Sequence, residues 1–226
     1  MENIKKTFEE IAHEYDEIIQ RFIPYYHQML EAVVCALPFG KSVAINVIDL
    51  GSGTGTVAKL IKDAYPEARI TCLDLVENML EMAKSKLVGK SNIRYQNGNF
   101  ERYQFDDVYD VAISSLALHH LLTDEDKKRF YQKIYDNLAP GGVFYNADII
   151  LASSDRIQET YMNQWKAFMR KQLSEDDIEN KCIAKYYEED RPAKLLEQLS
   201  WLTDIGFCEV DVLWKYYNFA VYGGRK

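Results

Sequence analysis

Glycines stand at 51, 53 and 55 in VIDLGSGTG (47–55), directly behind an apolar run, and histidines stand side by side at 119 and 120 in LALHHLL (116–122). Glycines so spaced let a backbone press against a ligand, and a helix beginning near Thr54 aims its N-terminal N–H groups at the same place. A phosphate-binding GxxxxGK[ST] loop is excluded, because Thr56 and Val57 follow the last glycine. A dinucleotide loop, GxGxxG, needs its third glycine one residue later than Gly55. Asp74 closes a second apolar run, RITCLDL (69–75), where a carboxylate can accept both hydroxyls of a ribose and repel a 2′-phosphate. NAD stays formally open, but the YxxxK pair of short-chain dehydrogenases occurs only as Tyr222 to Lys226, in the tail and off any helix. His120 can act as general base on an N–H or O–H nucleophile, since histidine titrates near neutrality; the plainer reading packs one ring and exposes the other. No further ligand types cluster with the pair in the sequence, so no metal site is expected.

These residues need elements to position them, and the periodicity supplies a set. Ala44–Leu50 is a continuous apolar run of buried-strand type, and Val57, Leu60, Ile61 and Ala64 follow on one helical face. The segment 69–75 is a second strand, and Leu80, Ala83 and Leu87 stripe a second helix. NIRYQN (92–97) and YDVAISS (109–115) are strands three and four. Phe130, Ile134 and Leu138 mark a helix that stops at APGG, and VFYNADII (143–150) is strand five. Such alternation predicts a parallel sheet with helices on both faces. Residues 3–22 and 25–37 read as two helices broken at Pro24, and 154–204 as helical, with 154–190 an insertion over the sheet. The tail from Phe207, broken at Asn218, reads as an antiparallel hairpin on the sheet edge.

Composition narrows the partners. A net charge of -8 disfavours a phosphate-backbone binder. The four cysteines are far apart with no CxxC pair, which suits a reduced cytoplasmic protein. The N-terminus MENIKKTFEE lacks an apolar signal region, and no stretch approaches a membrane span. The expected partner is a small-molecule substrate, not nucleic acid or membrane; a homodimer is compatible with this.

VIDLGSGTG, then DLVENML with Asp74, then YDVAISSLALHHL, then LAPGGVF resemble, in this order across residues 47–144, the motifs of class I S-adenosylmethionine-dependent methyltransferases. IIQRFIPYYHQML near the start and WLTDIGFCEVDVLWKYYNFAV near the end are similar to stretches of the bacterial carboxy-S-adenosylmethionine synthases, a methyltransferase-fold branch acting on prephenate. The resemblance implies an α/β, Rossmann-like fold in one domain spanning 1–226. Its sheet is seven-stranded and mostly parallel with an antiparallel C-terminal hairpin, under a helical lid made of 1–40 and the insertion. It implies S-adenosyl-L-methionine as cofactor, with Tyr26 touching it from the lid and Gly51, Ser52 and Gly53 along the methionine and ribose. Asp74 would hold the ribose hydroxyls, Leu75 and Met79 the adenine side, Asn99 and Phe100 the adenine edge and face, and Ser115 the methionine end.

Three departures bear on activity. Asn99 stands where an aspartate is usual, and Ser115 where an asparagine is. The arginine that grips the extra carboxylate of the carboxy-cofactor has no clear match: near ENKCIAK (179–185) its nearest counterpart is Cys182, and Lys181 and Lys185 are point charges rather than forks. Plain S-adenosylmethionine is therefore favoured, with in-line methyl transfer to a small molecule. The rivals are a prephenate-using carboxy-cofactor synthase and a non-catalytic binding module. Tyr15 and Tyr26 are candidates to face the sulfonium, His120 to be the base, and Asn146, Asp148, Tyr161 and Trp165 to line the substrate. Asn146 and Asp148 point to one side of strand five, toward the cavity or into solvent. Tyr161, Trp165 and Phe168 form a helical stripe that also reads as core.

Overall fold

Asn46–Leu50 is buried at every position, as befits a strand covered on both faces, and the sheet is laid out around it. The computed structural model describes residues 8–9 and 11–226. Its strands are β1 (Asn46–Leu50), β2 (Arg69–Asp74), β3 (Ile93–Asn97), β4 (Tyr109–Ser115), β5 (Leu138–Ile149), β6 (Cys208–Tyr216) and β7 (Phe219–Arg225). They form one sheet in the order β3-β2-β1-β4-β5-β7-β6. The first five pair in parallel, and β7 runs antiparallel to both β5 and β6. The mostly parallel sheet with its C-terminal hairpin is thus as the sequence predicts. Because β1 lies between β2 and β4, the chain crosses over in opposite directions from it. A crevice opens at the carboxyl ends of β1 and β4, the place where open α/β sheets bind ligands.

Helices α1 (Tyr15–Phe22), α2 (Tyr26–Cys35), α3 (Thr56–Ala64) and α4 (Glu77–Lys86) pack mainly on one face. On the other face lie α5 (Asp124–Asn137) and α8 (Leu195–Ile205). Between them in sequence, α6 (Asp155–Met169) and α7 (Ala184–Glu189) carry the insertion back over α1. The break between α1 and α2 falls at Pro24 as expected, whereas Ala12–Glu14 form a turn rather than helix; the remainder of the predicted 3–22 helix lies partly outside the described residues. Among the described residues, no helix is long and apolar enough to cross a membrane.

Two readings of the chain change here. The APGG segment is not a helix stop followed by loop: α5 ends at Asn137 and β5 begins at Leu138, because Leu138 pairs with Tyr109 and the Gly141 N–H bonds the Lys226 carbonyl at 2.8 Å. The insertion contains a π-helical turn, Ile178–Ile183, a wider winding that no hydrophobic period announces.

The turn Leu118–His120 leads into α5, and the junction is fixed on both sides. The buried Lys127 Nζ donates to the Leu121 carbonyl at 2.7 Å, and Thr123 and Asp126 form a reciprocal capping box at the helix start. Removing that box by Thr123→Ala should cost about 1 kcal/mol. The expected fall in Tm, about 2–4 °C for a chain of this size, is read in a thermal melt; an unchanged Tm would show the cap to be dispensable.

Candidate active site

The glycine loop is shaped by what it packs against. Gly51 has φ +73°, and a Cβ there would lie 2.4 Å from the Ala117 Cβ, so the loop after β1 sits directly on the turn after β4. Gly55 is different: its added Cβ would meet Ala83 of α4 at 2.9 Å, so the early third glycine serves helix packing. The Asp74 carboxylate, at the end of β2, accepts the Gly53 N–H at 2.7 Å and the Val76 N–H at 2.9 Å. Burial raises its pKa, while these N–H groups oppose the rise. Bonded on one side of each oxygen, it keeps lone pairs for a diol.

Three adjoining cavities open over this loop. The first is walled by Leu75, Val76, Met79 and Phe100, with Gly51, Gly53, Asp74 and Ser115 at its floor: an apolar slot beside a carboxylate, suited to a flat heterocycle on a ribose. The second, smaller, gathers Tyr26, Asp49, Ser52, Thr54 and Thr56 with Gly51, Gly53 and Ser115. Asp49 was not singled out from sequence, although an aspartate inside an otherwise apolar strand is the signal. Its two carboxylate oxygens are buried with no partner in good geometry. Burial first, and then neighbouring Asp74, push its pKa up to about 7, against modest help from the Ala58 backbone. An uncompensated buried carboxylate suits a ligand bearing an ammonium.

The third cavity, about 180 Å³, lies between α1 and the insertion. Ile18, Phe22, Trp165 and Phe219 make it apolar, while Lys181, Cys182 and Lys185 of the π-turn segment and its continuation stand on one wall. Trp165 Nε1 donates to the Phe22 carbonyl at 2.7 Å, joining the insertion to the end of α1. At the start of α1, Asp16 accepts the Thr54 hydroxyl at 2.6 Å and pairs with Lys86 at 2.6 Å, which fastens the helix to the glycine loop. Phe8, Tyr15, Leu116 and His120 line both the first and the third cavity, and Tyr15 lines all three. Leu116 holds a φ of +52°, rare for a residue with a branched side chain and a known mark of functional sites.

The histidine turn is held from beneath. Asp148 Oδ1 lies 2.5 Å from His119 Nδ1 and its Oδ2 accepts the His119 N–H at 3.0 Å. Asn146 donates to Tyr222 Oη at 2.8 Å, and Tyr222 and Tyr131 both bond Gln198. Asn146 and Asp148 do share one side of β5, but that side is neither cavity nor solvent: both are buried in this network. The Arg191 N–H bonds the His119 carbonyl at 2.9 Å, which brings Asp190 over the pair. Burial works against a charge on His119, but Asp148 and Asp190 outweigh it and hold its pKa up at about 10. Burial and the His119 charge push His120 down to about 3.

Other expectations divide. Tyr15, Tyr26, Gly51, Ser52, Gly53, Asp74, Leu75, Met79, Phe100, Ser115, His120 and Trp165 all meet at these cavities. Tyr161 does not: it takes a hydrogen bond from Lys215 Nζ at 2.8 Å and packs on Tyr217, one helical turn too early to reach the cavity. Asn99 spends its side-chain oxygen on the Glu101 N–H at 2.9 Å and lines none of the three cavities. Asp190 was missed, and with it the clustered donors whose absence argued against a metal.

Residues 47–142 match the family model described as Methyltransferase domain. Across its whole length the chain is 27% identical to a carboxy-S-adenosyl-L-methionine synthase of Helicobacter pylori (strain Shi470), covering 97% of that protein. Among solved structures it is similar to a DhpI–SAM–HEP complex, with TM-score 0.65 and 20% identity over 98% of this chain and 95% of that one. It also resembles human N-acetylserotonin methyltransferase in complex with SAM, with TM-score 0.60 and 22% identity over 87% of this chain and 51% of that one. The ordered motifs, the switch-point crevice and these likenesses agree: residues 47–142 match a methyltransferase domain, and the fold is that of S-adenosylmethionine-dependent methyltransferase structures.

Proposed function

We propose that the protein methylates a small molecule with an apolar body, held in the cavity between α1 and the insertion, at the expense of plain S-adenosylmethionine. One observation carries the reading: Tyr15 borders the adenosine-shaped slot, the ammonium-seeking pocket and the apolar cavity at once. Donor and acceptor therefore meet at its ring. When bound, the cofactor supplies a methyl group activated by a positive sulfonium.

The chain's own residues then have distinct tasks. Asp74 takes the ribose hydroxyls, with Leu75, Met79 and Phe100 flanking the adenine. Gly51, Ser52, Gly53, Tyr26 and Ser115 frame the methionine half, and Asp49 takes its ammonium. Tyr15 is partly buried and its pKa is raised well above normal, by desolvation first and then by Tyr26 and Asp74, so the ring stays neutral and offers its face to a cation. Leu116 and Phe8 separate the cavities and keep water out. His120, neutral and facing the junction, is the group at hand to accept a hydrogen bond from the acceptor's O–H or N–H, and it becomes a competent base only where a bound acceptor lifts its depressed pKa. Trp165 forms the apolar wall opposite.

The acceptor wall also bears on the alternative. Its charged groups at the π turn are Lys181, which pairs with Asp177 at 2.5 Å, and Lys185, and among the described residues no arginine borders the three cavities. A planar carboxylate would meet no fork there. With labelled methyl on the cofactor and a metabolite extract as acceptor, the label is expected in a small apolar product. Formation of a carboxylated cofactor on adding prephenate, read by mass spectrometry, would overturn this choice. Tight cofactor binding with no labelled product would favour a binding module instead.

Two further outcomes follow from the cofactor pocket. Asp74→Ala removes a charged acceptor for two hydroxyls, each such bond being worth about 1.5–3 kcal/mol, so calorimetric affinity should fall by about 100-fold or more; unchanged affinity would refute the placement. Asp49, with a pKa of about 7 in the free protein, is largely protonated at pH 6, and an ammonium favours its ionised form. Binding should therefore release about 1 proton at pH 6, and affinity should climb by up to about tenfold per pH unit toward pH 7 and level off above it. Calorimetry in buffers of different ionisation enthalpy checks this, and Asp49→Asn should abolish the proton release.

A further inference from the structure

His119, His120 and Asp190 each turn a donor atom toward one point on the wall of the acceptor cavity. His119 Nε2 and His120 Nδ1 both lie 3.5 Å from Asp190 Oδ1, and one donor atom from each residue lies within 4.8 Å of the others. Tetrahedral zinc, with bonds of about 2.0–2.2 Å, spaces its donors by about 3.4 Å. The three side chains are therefore close to the spacing that a dication between them requires.

Three features set the cluster apart from an ordinary ion pair. The His120 side chain is nine-tenths buried, yet neither of its nitrogens has a partner in hydrogen-bonding geometry; the Asp190 carboxylate and the Glu189 backbone are its polar neighbours. His119 is backed by a carboxylate on its other nitrogen, Asp148 at 2.5 Å, and Asp148 is itself fixed by the Ile149 N–H at 2.9 Å and the His119 N–H at 3.0 Å. A carboxylate behind a ligating histidine is the usual support that orients the ring and raises its basicity. Finally, all three donors line the acceptor cavity, so a fourth coordination position faces open space, as catalytic rather than structural sites require.

We propose that His119, His120 and Asp190 bind a divalent transition-metal ion of the zinc class, with an open position facing the acceptor cavity. The ion takes the place of the proton on His119 Nε2, which leaves to solvent. An acceptor hydroxyl or thiol that enters the open position forms a bond from oxygen or sulfur to the ion and loses its proton to solvent. It then stands at the junction with the cofactor slot as an alkoxide or thiolate, and His120 is a ligand instead of a base. The existence of the site is independent of the acceptor reading above; its catalytic use rests on that reading.

Full-length protein stripped with a chelator and titrated with Co²⁺ is expected to bind one equivalent, develop the intense visible absorption of a tetrahedral site, and lose it to added Zn²⁺. Adding 2-mercaptoethanol should change the Co²⁺ spectrum through the fourth position. Asp190→Asn and His120→Gln, each checked for native fold by circular dichroism, should weaken Co²⁺ binding by about 100-fold or more, and Asp148→Asn by about 10–100-fold. No tetrahedral Co²⁺ spectrum, or unchanged affinity in the folded Asp190→Asn and His120→Gln proteins, overturns the site. Because the titration reads metal and not product, it succeeds or fails apart from methyl transfer. A chelated enzyme of full activity overturns the catalytic use and returns His120 to the role of base.

Discussion

The contact on which the working end of the molecule depends is the one between Asp148 and His119. Asp148 belongs to β5, an inner strand of the sheet, and His119 to the turn after β4. The carboxylate holds both the ring and the backbone of His119, so the turn is tied to the strand beside it. Everything near the reaction centre is referred to that tie. Ala117, two residues earlier, is the surface on which Gly51 closes; Leu116, held at positive φ, divides two cavities. His120, one residue later, faces their junction. The tie is itself supported by a buried chain through Asn146, Tyr222, Gln198 and Tyr131, whose members come from β5, β7, α8 and α5. Such a network rigidifies only if its members are satisfied, and here the Asn146 amide nitrogen has two acceptors within reach while its oxygen has none. The direction of donation therefore runs toward Tyr222 and Asp148, which keeps Asp148 an acceptor for the turn.

A second constraint is electrostatic. The cofactor pocket contains two buried carboxylates, Asp49 and Asp74, with Asp74 adding to the cost of charging Asp49. Asp74 is relieved by loop N–H groups, whereas Asp49 is not. The free pocket thus carries an unfavourable arrangement that a cationic ligand relieves. The same logic applies across the junction, where His119 lies between two carboxylates and leaves the neighbouring His120 neutral. The two sides of the junction therefore differ: the pocket around Asp49 favours a positive charge, and the histidine turn already holds one on His119.

Much of this was legible in the sequence, and the reason is local chemistry. A parallel strand buried on both faces has to be a short apolar run, so β1, β2 and β4 announce themselves, and the glycines and Asp74 follow from what a loop needs in order to touch a ribose. What was not legible depends on contacts between distant segments. Asp190 stands beside the histidines where the neighbouring Arg191 N–H bonds the His119 carbonyl, a pairing between distant segments that no spacing encodes. Asn146 and Asp148 were correctly placed on one side of β5, but alternation says which residues share a side and not what covers it; α5, α8 and β7 do. Tyr161 and Trp165 share a helical stripe, yet α6 passes the cavity edge between them, so one lines it and the other caps the hairpin.

The division between what is general and what is particular in this molecule runs along the same line. The slot for the cofactor is built from strand ends and the loops that leave them, elements whose geometry the sheet dictates. The third cavity is walled largely by α1, α6 and the π turn, which lie outside the sheet, together with Ile149 of β5 and Phe219 of β7, and these outer walls are held by polar ties: Asp16 to Thr54 and Lys86, and Trp165 to the Phe22 carbonyl. Ties of that kind let the lid segments change in sequence without disturbing the slot. They also explain why the motifs identify the donor and not the acceptor. The turn bearing His119 and His120 is where the two systems meet, fixed to the sheet through Asp148 and to the insertion through Asp190. That turn is therefore a point whose position the sheet determines and whose surroundings the insertion supplies.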